Sequence, residues 1–150
     1  MKLVIQRVKK SSVEVDKKQV GSIDNGLLIL VGFTYNENIE DIKKFAEKTV
    51  NLRIFDDENH VMNKSLLDVG GSILSVSQFT LYADSRKGRR PSYINALNGE
   101  EAIKLYDMWN EELRKYTHVE TGIFGADMSV SLINDGPVTL IMESDNSVKE

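Results

Sequence analysis

The chain opens as short apolar runs rich in β-branched residues, separated by polar and turn-forming positions. LVIQRV (3–8), SSVEV (11–15) and QVGSI (19–23) fit strands, and Asp24-Asn25-Gly26 predicts a hairpin turn into LLILVGF (27–33). LLILVGF has no polar position, so both of its faces require cover. From Asn38 the period changes. Ile39, Ile42, Phe45, Ala46 and Val50 recur at three and four residues, with Asp41 three places after a capping Asn38, which predicts a first helix. A short strand RIF (53–55), a turn DDENH (56–60) and an irregular stretch follow, with Gly70-Gly71 as a further turn. GSILSVSQFTLYAD (71–84) resumes as a strand, on which Ser77, Phe79 and Leu81 face one way and Gln78, Thr80 and Tyr82 the other.

Asn98, with Glu101 three residues on, opens a second helix whose Ala102, Leu105, Trp109, Leu113 and Tyr116 form one apolar stripe. Trp109 therefore reads as core. HVETGIF (118–124), MSVSLI (128–133) and VTLIMES (138–144) add three strands before a polar tail. The pattern predicts a mixed α/β fold of largely antiparallel β-sheets packed against two helices, in a single domain over residues 1–150.

Composition narrows the possibilities. A hydrophobic share of 41% with 28% charged residues fits a water-soluble chain, and no apolar run approaches the ~20 residues of a membrane span. MKLVIQRVKK interleaves apolar and basic residues, unlike a secretory leader. The absence of cysteine removes disulfides, thiolate nucleophiles and cysteine-ligated metal, and fits a reducing cytoplasm. A net charge of −4 argues against bulk attraction to nucleic acid, yet DSRKGRRPS (84–92) forms a local basic patch able to meet phosphates.

No self-contained catalytic motif is present: no HExxH, nucleophile elbow, P-loop or acidic triplet with metal spacing. His60 lies in a polar turn and His118 at the head of a strand, and neither is near Ser77 or Thr80 in sequence to serve as a base. Gly136-Pro137 interrupts an otherwise strand-like NDGPVTL (134–140). Proline removes a ladder donor and glycine packs nothing, so the dipeptide is either a turn or an irregularity at a sheet edge.

SQFTLYAD, the run Gly88-Arg89-Arg90-Pro91-Ser92, FGADM (124–128) and NDGPVT, in this order, together with IQRV (5–8) and RIFDDENHVMNKSLLD (53–68), resemble the D-aminoacyl-tRNA deacylase family across nearly the whole chain. The related animal deacylases replace the serine and phenylalanine of the first motif, so the bacterial D-specific type is the nearer match. The resemblance implies layered β-sheets against two helices, in a homodimer with active sites at the interface. It implies hydrolysis of D-aminoacyl-tRNA, with glycyl-tRNA also accepted, without metal or organic cofactor.

By resemblance, Ser77, Gln78, Phe79 and Thr80 border the scissile ester, and Phe124, Gly125 and Met128 hold the terminal adenosine. The same resemblance makes Gly136-Pro137 a cis dipeptide whose carbonyls, lent to the partner's pocket and oriented by Arg7, reject L side chains. Two competing readings remain open: a non-catalytic nucleic-acid-binding module, and an editing deacylase of different chirality preference.

Overall fold

A computed structural model describes residues 1–144, so the polar tail after Ser144 lies outside the described residues. The chain begins with a long strand β1 (Lys2–Val15), and β2 (Lys18–Ile23) returns along its second half. The hairpin that joins them turns at Asp16-Lys17, both of which have positive φ (50° and 64°), as a two-residue turn between right-twisted strands requires. The hairpin predicted at Asp24-Asn25-Gly26 does not form. Ile23 and the first residue of β3 (Gly26–Gly32) both pair with β1, opposite Ser11 and Val8, so Asp24-Asn25 only offsets two segments that follow the same strand. Gly26 serves close approach instead: a Cβ there would sit 1.8 Å from the carbonyl oxygen of Ser72.

That approach brings in β6 (Ser72–Ser77), which runs parallel to β3, with β7 (Val119–Thr121) parallel to β6 in turn. The expectation of largely antiparallel pairing therefore holds around β1 but not in this half of the sheet. Alternate residues of the central strands enter two apolar clusters, as the period of two dictates. Leu27, Ile29, Val31 and Ile73 join Ile42, Ala46 and Val50 of α1 (Ile39–Asn51) and Trp109 and Leu113 of α3 (Gly99–Arg114). Leu28, Leu74 and Val76 join Val8, Val13 and Ile23 on the other face. Both faces of β3 are covered, as its unbroken apolar run requires.

The helices follow the predicted stripes, and Trp109 is fully buried. Asn38 caps α1 through its side chain, which accepts from Glu40 N at 3.0 Å, whereas Asn98 makes no side-chain capping bond. Tyr116 falls beyond α3 and is exposed. The stretch read as irregular contains β5 (Met62–Lys64), paired with β4 (Phe55–Asp56), and a third, short helix α2 (Leu66–Val69). Ser65 and Asp68 form a reciprocal cap on α2, and Gly70 ends it at a φ of 65°.

The last 15 described strand residues differ most from expectation. MSVSLI and VTLIMES are one strand, β8 (Ser129–Glu143), which pairs along β1 from end to end. Gln6 pairs with Thr139 and Val8 with Asn134, so Asp135 to Val138 bulge out opposite Arg7 alone. The Asn134 side chain closes the bulge: its Oδ1 accepts from Val138 N at 2.8 Å, and its Nδ2 donates to Val138 O at 3.2 Å. Gly136-Pro137 is thus an interruption within one strand and not a turn between two. Its peptide bond is cis, and Gly136 has a φ of 147°.

Candidate active site

The parallel half of the sheet positions the site. In open sheets of parallel strands, ligand crevices form beyond the carboxyl ends of the strands. Here β3 ends at Gly32-Phe33, β6 at Ser77, and β7 at Thr121 before the loop that carries Phe124 to Met128. These ends, with Asn98 and Ala102 at the start of α3, line a cleft of about 430 Å³. Ser77, Gln78, Phe79, Phe124, Gly125 and Met128, nearly fifty residues apart in sequence, share its wall.

The predicted strand through SQFTLYAD stops at Ser77, which pairs with Val31 as the last rung of the parallel ladder. Gln78 N then donates to Val31 O at 2.8 Å, and Phe79–Tyr82 wind into one 3₁₀ turn closed by Leu81 N to Gln78 O at 3.3 Å and Ala83 N to Thr80 O at 3.0 Å. The expected alternation of faces past Ser77 is therefore lost. The turn begins without a helical predecessor, so its first N–H groups, those of Phe79 and Thr80, have no backbone acceptor among the described residues. Phe79 lines the cleft, so its N–H is an unspent donor in the cleft wall, with that of Thr80 next along the turn. Gly32 lets the turn lie this close, since a Cβ there would meet Gln78 O at 2.7 Å.

Thr80 does not line the cleft. Its Oγ1 accepts from Gln78 Nε2 at 2.6 Å, and that bond holds the Gln78 side chain across the turn. Phe124 packs on Tyr106 with ring centroids 5.9 Å apart, and Tyr106 anchors to the core through its OH, which donates to Ser75 O at 2.7 Å. Burial raises the Tyr106 phenol above its ordinary range, so it remains a donor. Gly122 permits the approach of Met128, whose sulfur lies 2.5 Å from where a Cβ would be.

Gly136 and Pro137 are exposed and do not line the cleft of their own chain. Arg7 lies behind them and is 6% exposed. Its Nε donates to Asp135 O at 2.8 Å, and its Nη1 donates to Ile54 O at 2.8 Å and to Asp56 Oδ1 at 3.2 Å. One guanidinium thus ties the carbonyl just before Gly136 to the end of the β4 segment.

His60 and His118 are exposed and outside the cleft, and His118 pairs with Glu120 at 3.3 Å. Among the described residues no group of three His, Asp or Glu is placed to hold a metal ion, and no helix is long and apolar enough to cross a membrane. Sequence reasoning missed Val31, Gly32, Phe33, Asn98 and Val130 as cleft residues. Gly32, ending an apolar run, was the one signal available for them.

A chain from Bacillus cytotoxicus named D-aminoacyl-tRNA deacylase is 59% identical over 145 residues, covering 96% of this chain and 99% of that one. One of the same name from Clostridium botulinum is 57% identical over 145 residues, covering 96% and 97%. The solved structure of a c-Myc DNA Unwinding Element Binding Protein superposes with a TM-score of 0.90 at 38% identity, over 96% of this chain and 99% of that one. That of a probable eukaryotic D-amino acid tRNA deacylase shares the fold, with a TM-score of 0.81 at 17% identity over 94% and 97%. The family model for D-Tyr-tRNA(Tyr) deacylase matches residues 4–143, and the chain accordingly belongs to this family of enzymes that hydrolyse the aminoacyl-tRNA ester bond.

Proposed function

We propose that the protein is a chiral proofreading hydrolase that seats the 3′ end of D-aminoacyl-tRNA in the cleft beyond β3, β6 and β7. The observation that carries this reading is the 3₁₀ turn whose first N–H groups, at Phe79 and Thr80, lack a backbone acceptor among the described residues, with Phe79 lining a cleft walled by an aromatic and a thioether. Phe124, Gly125 and Met128 take the terminal adenine by stacking and dispersion. Ser77 to Thr80 border the ester, and the free N–H groups meet the oxyanion as it develops. Water adds to the carbonyl carbon and the bond to the ribose oxygen breaks. The proton from water passes to that oxygen, leaving free D-amino acid and tRNA. The neighbouring ribose 2′-OH assists the attack, since neither histidine stands in the cleft and Thr80 Oγ1 is turned to Gln78.

Chirality is read by main chain. In a homodimer, Gly136-Pro137 of one subunit enters the cleft of the other, and its carbonyls face the substrate Cα. Hydrogen fits there, and an L side chain does not. Glycyl-tRNA, with two hydrogens, also passes, and many D side chains are tolerated because the wall never touches them. Support for the exchange comes from the exposure of the dipeptide away from its own cleft, and from β8, which has β1 as its one strand partner among the described residues and presents Leu132, Ile133 and Ile141 to solvent. The working place of such an enzyme is the cytoplasm, where its aminoacyl-tRNA substrate is.

Incubating the protein with D-tyrosyl-tRNA and L-tyrosyl-tRNA and following ester loss tests the reading. Turnover of the D ester alone is expected. Binding without turnover would make the protein a nucleic-acid-binding module, and turnover of the L ester would reverse the chirality assignment.

A further inference from the structure

The basic hairpin that follows the cleft is not used by the chemistry above. It leaves the 3₁₀ turn at Asp84 and closes at Ser92, where two backbone bonds, Asp84 N to Ser92 O at 2.8 Å and Ser92 N to Asp84 O at 2.9 Å, form its base. Tyr93 then packs edge-on against Phe79, with centroids 5.3 Å apart. Because Phe79 lines the cleft, the base of the hairpin is fastened to the cleft wall at both ends.

The four cations of the hairpin are not equivalent. Arg86 is committed within the chain. Its Nε and Nη2 donate to Asp84 at 2.9 and 2.8 Å, its backbone N adds a third bond at 3.0 Å, and the Asp84 carboxyl is held down at about 2 as a result. Lys87, Arg89 and Arg90 are exposed and have no ion pair among the described residues. Gly88, with a φ of 66° and open space where a Cβ would stand, turns the chain outward between them. A protein of net charge −4 thus presents three uncompensated cations on one projection, beside a half-exposed tyrosine that packs on Phe79 of the cleft wall. Cations beside an aromatic suit a nucleic-acid backbone and an unpaired base.

We propose that this hairpin is the docking surface for the acceptor arm of tRNA, with Lys87, Arg89 and Arg90 on its phosphates and Arg86 as an internal brace. The inference rests on the deacylase reading for the identity of the occupant. A strand whose last nucleoside lies in the cleft must leave through its mouth, and the preceding phosphates are the groups brought to the hairpin. The cations then supply affinity that depends on salt and not on the amino acid.

The test uses Arg89→Gln/Arg90→Gln with two measurements. Binding of uncharged tRNA is followed over a salt series from about 50 to about 200 mM, where the slope of log Kd against log salt should be shallower by roughly 2 in the variant, near one per lost phosphate contact. Hydrolysis is compared on D-tyrosyl-tRNA and on the D-tyrosyl ester of adenosine alone. The variant should show a KM for the tRNA raised about tenfold and unchanged kcat/KM on the adenosine ester. An unchanged salt slope would overturn the proposal, as would an equal loss on both substrates, which would mean that the hairpin only shapes the cleft. A wild-type protein that binds tRNA but cleaves neither ester would instead sink the deacylase reading, so the two failures are distinct.

Discussion

Replacing Arg7 by methionine isolates the contribution of one buried guanidinium, because the apolar stem is nearly conserved in volume while the donors are lost. Two carbonyls, Ile54 O and Asp135 O, each accept from Arg7 at 2.8 Å, the first in a buried setting and the second partly open. Leaving such an acceptor unmet costs about 1–3 kcal/mol, more for the buried one. The ion pairs with Asp56 at 3.2 Å and Asp135 at 3.7 Å involve carboxylates 44% and 42% exposed, and solvent screening reduces their combined worth to at most about 1 kcal/mol. With about 2 kcal/mol for the buried acceptor and about 1 for the partly open one, the sum is about 3–4 kcal/mol, which for a chain of this size lowers the melting temperature by roughly 6–16 °C. Arg7→Lys should recover only about half of this, since a single ammonium cannot span both carbonyls as the planar fork does. Calorimetry measures the stability. In parallel, kcat/KM on D- and L-tyrosyl-tRNA, taken well below the melting temperature, should show a smaller D preference as the Asp135-Gly136 segment loses its tether. A melting temperature within about 1 °C of wild type, with unaltered D and L rates, would refute both the energetic bookkeeping and the positioning role of Arg7.

Phe124→Ala removes the stacking face for the terminal base, worth about 1–3 kcal/mol, and should raise KM with little change in kcat; an unchanged KM would take Phe124 out of the adenosine pocket. Gly32→Ala forces a methyl to within 2.7 Å of Gln78 O, a backbone atom unable to yield without moving the 3₁₀ turn. Its kcat should fall about tenfold or more, in line with loss of an aligned oxyanion donor, and full activity would show that the turn tolerates displacement. Thr80→Ala frees Gln78 Nε2 from its 2.6 Å bond yet should leave measurable hydrolysis; complete loss in a folded, tRNA-binding variant would make Thr80 the nucleophile.

The local periodicities of the chain were sufficient for α1, α3 and the buried position of Trp109, because contacts at three and four residues are set by helix geometry alone. The unbroken apolar run of LLILVGF likewise announced a strand covered on both faces, whereas the capping pair Ser65 and Asp68 of α2 was overlooked in a stretch read as irregular. By resemblance, Ser77 to Phe79 and Phe124 to Met128 were expected to share a site, and the structure brings them to one cleft. Tertiary structure alone decided where the pieces meet. SQFTLYAD alternates well enough to be a strand throughout, but past Ser77 its backbone finds no neighbouring strand, and Gln78 N closes on Val31 O before the chain curls into a 3₁₀ turn. Gly26 looked like turn punctuation and is instead the place where Ser72 presses against β3, at the first rung of the parallel β3–β6 ladder whose far end borders the cleft. Gly136-Pro137 separates two apolar runs in sequence, yet the ladder with β1 resumes beyond the bulge and carries both, and Asn134 and Arg7 secure the bulge between them. Such outcomes depend on which distant segments compete for the same backbone donors and acceptors, and a pattern confined to neighbouring residues holds no record of that competition.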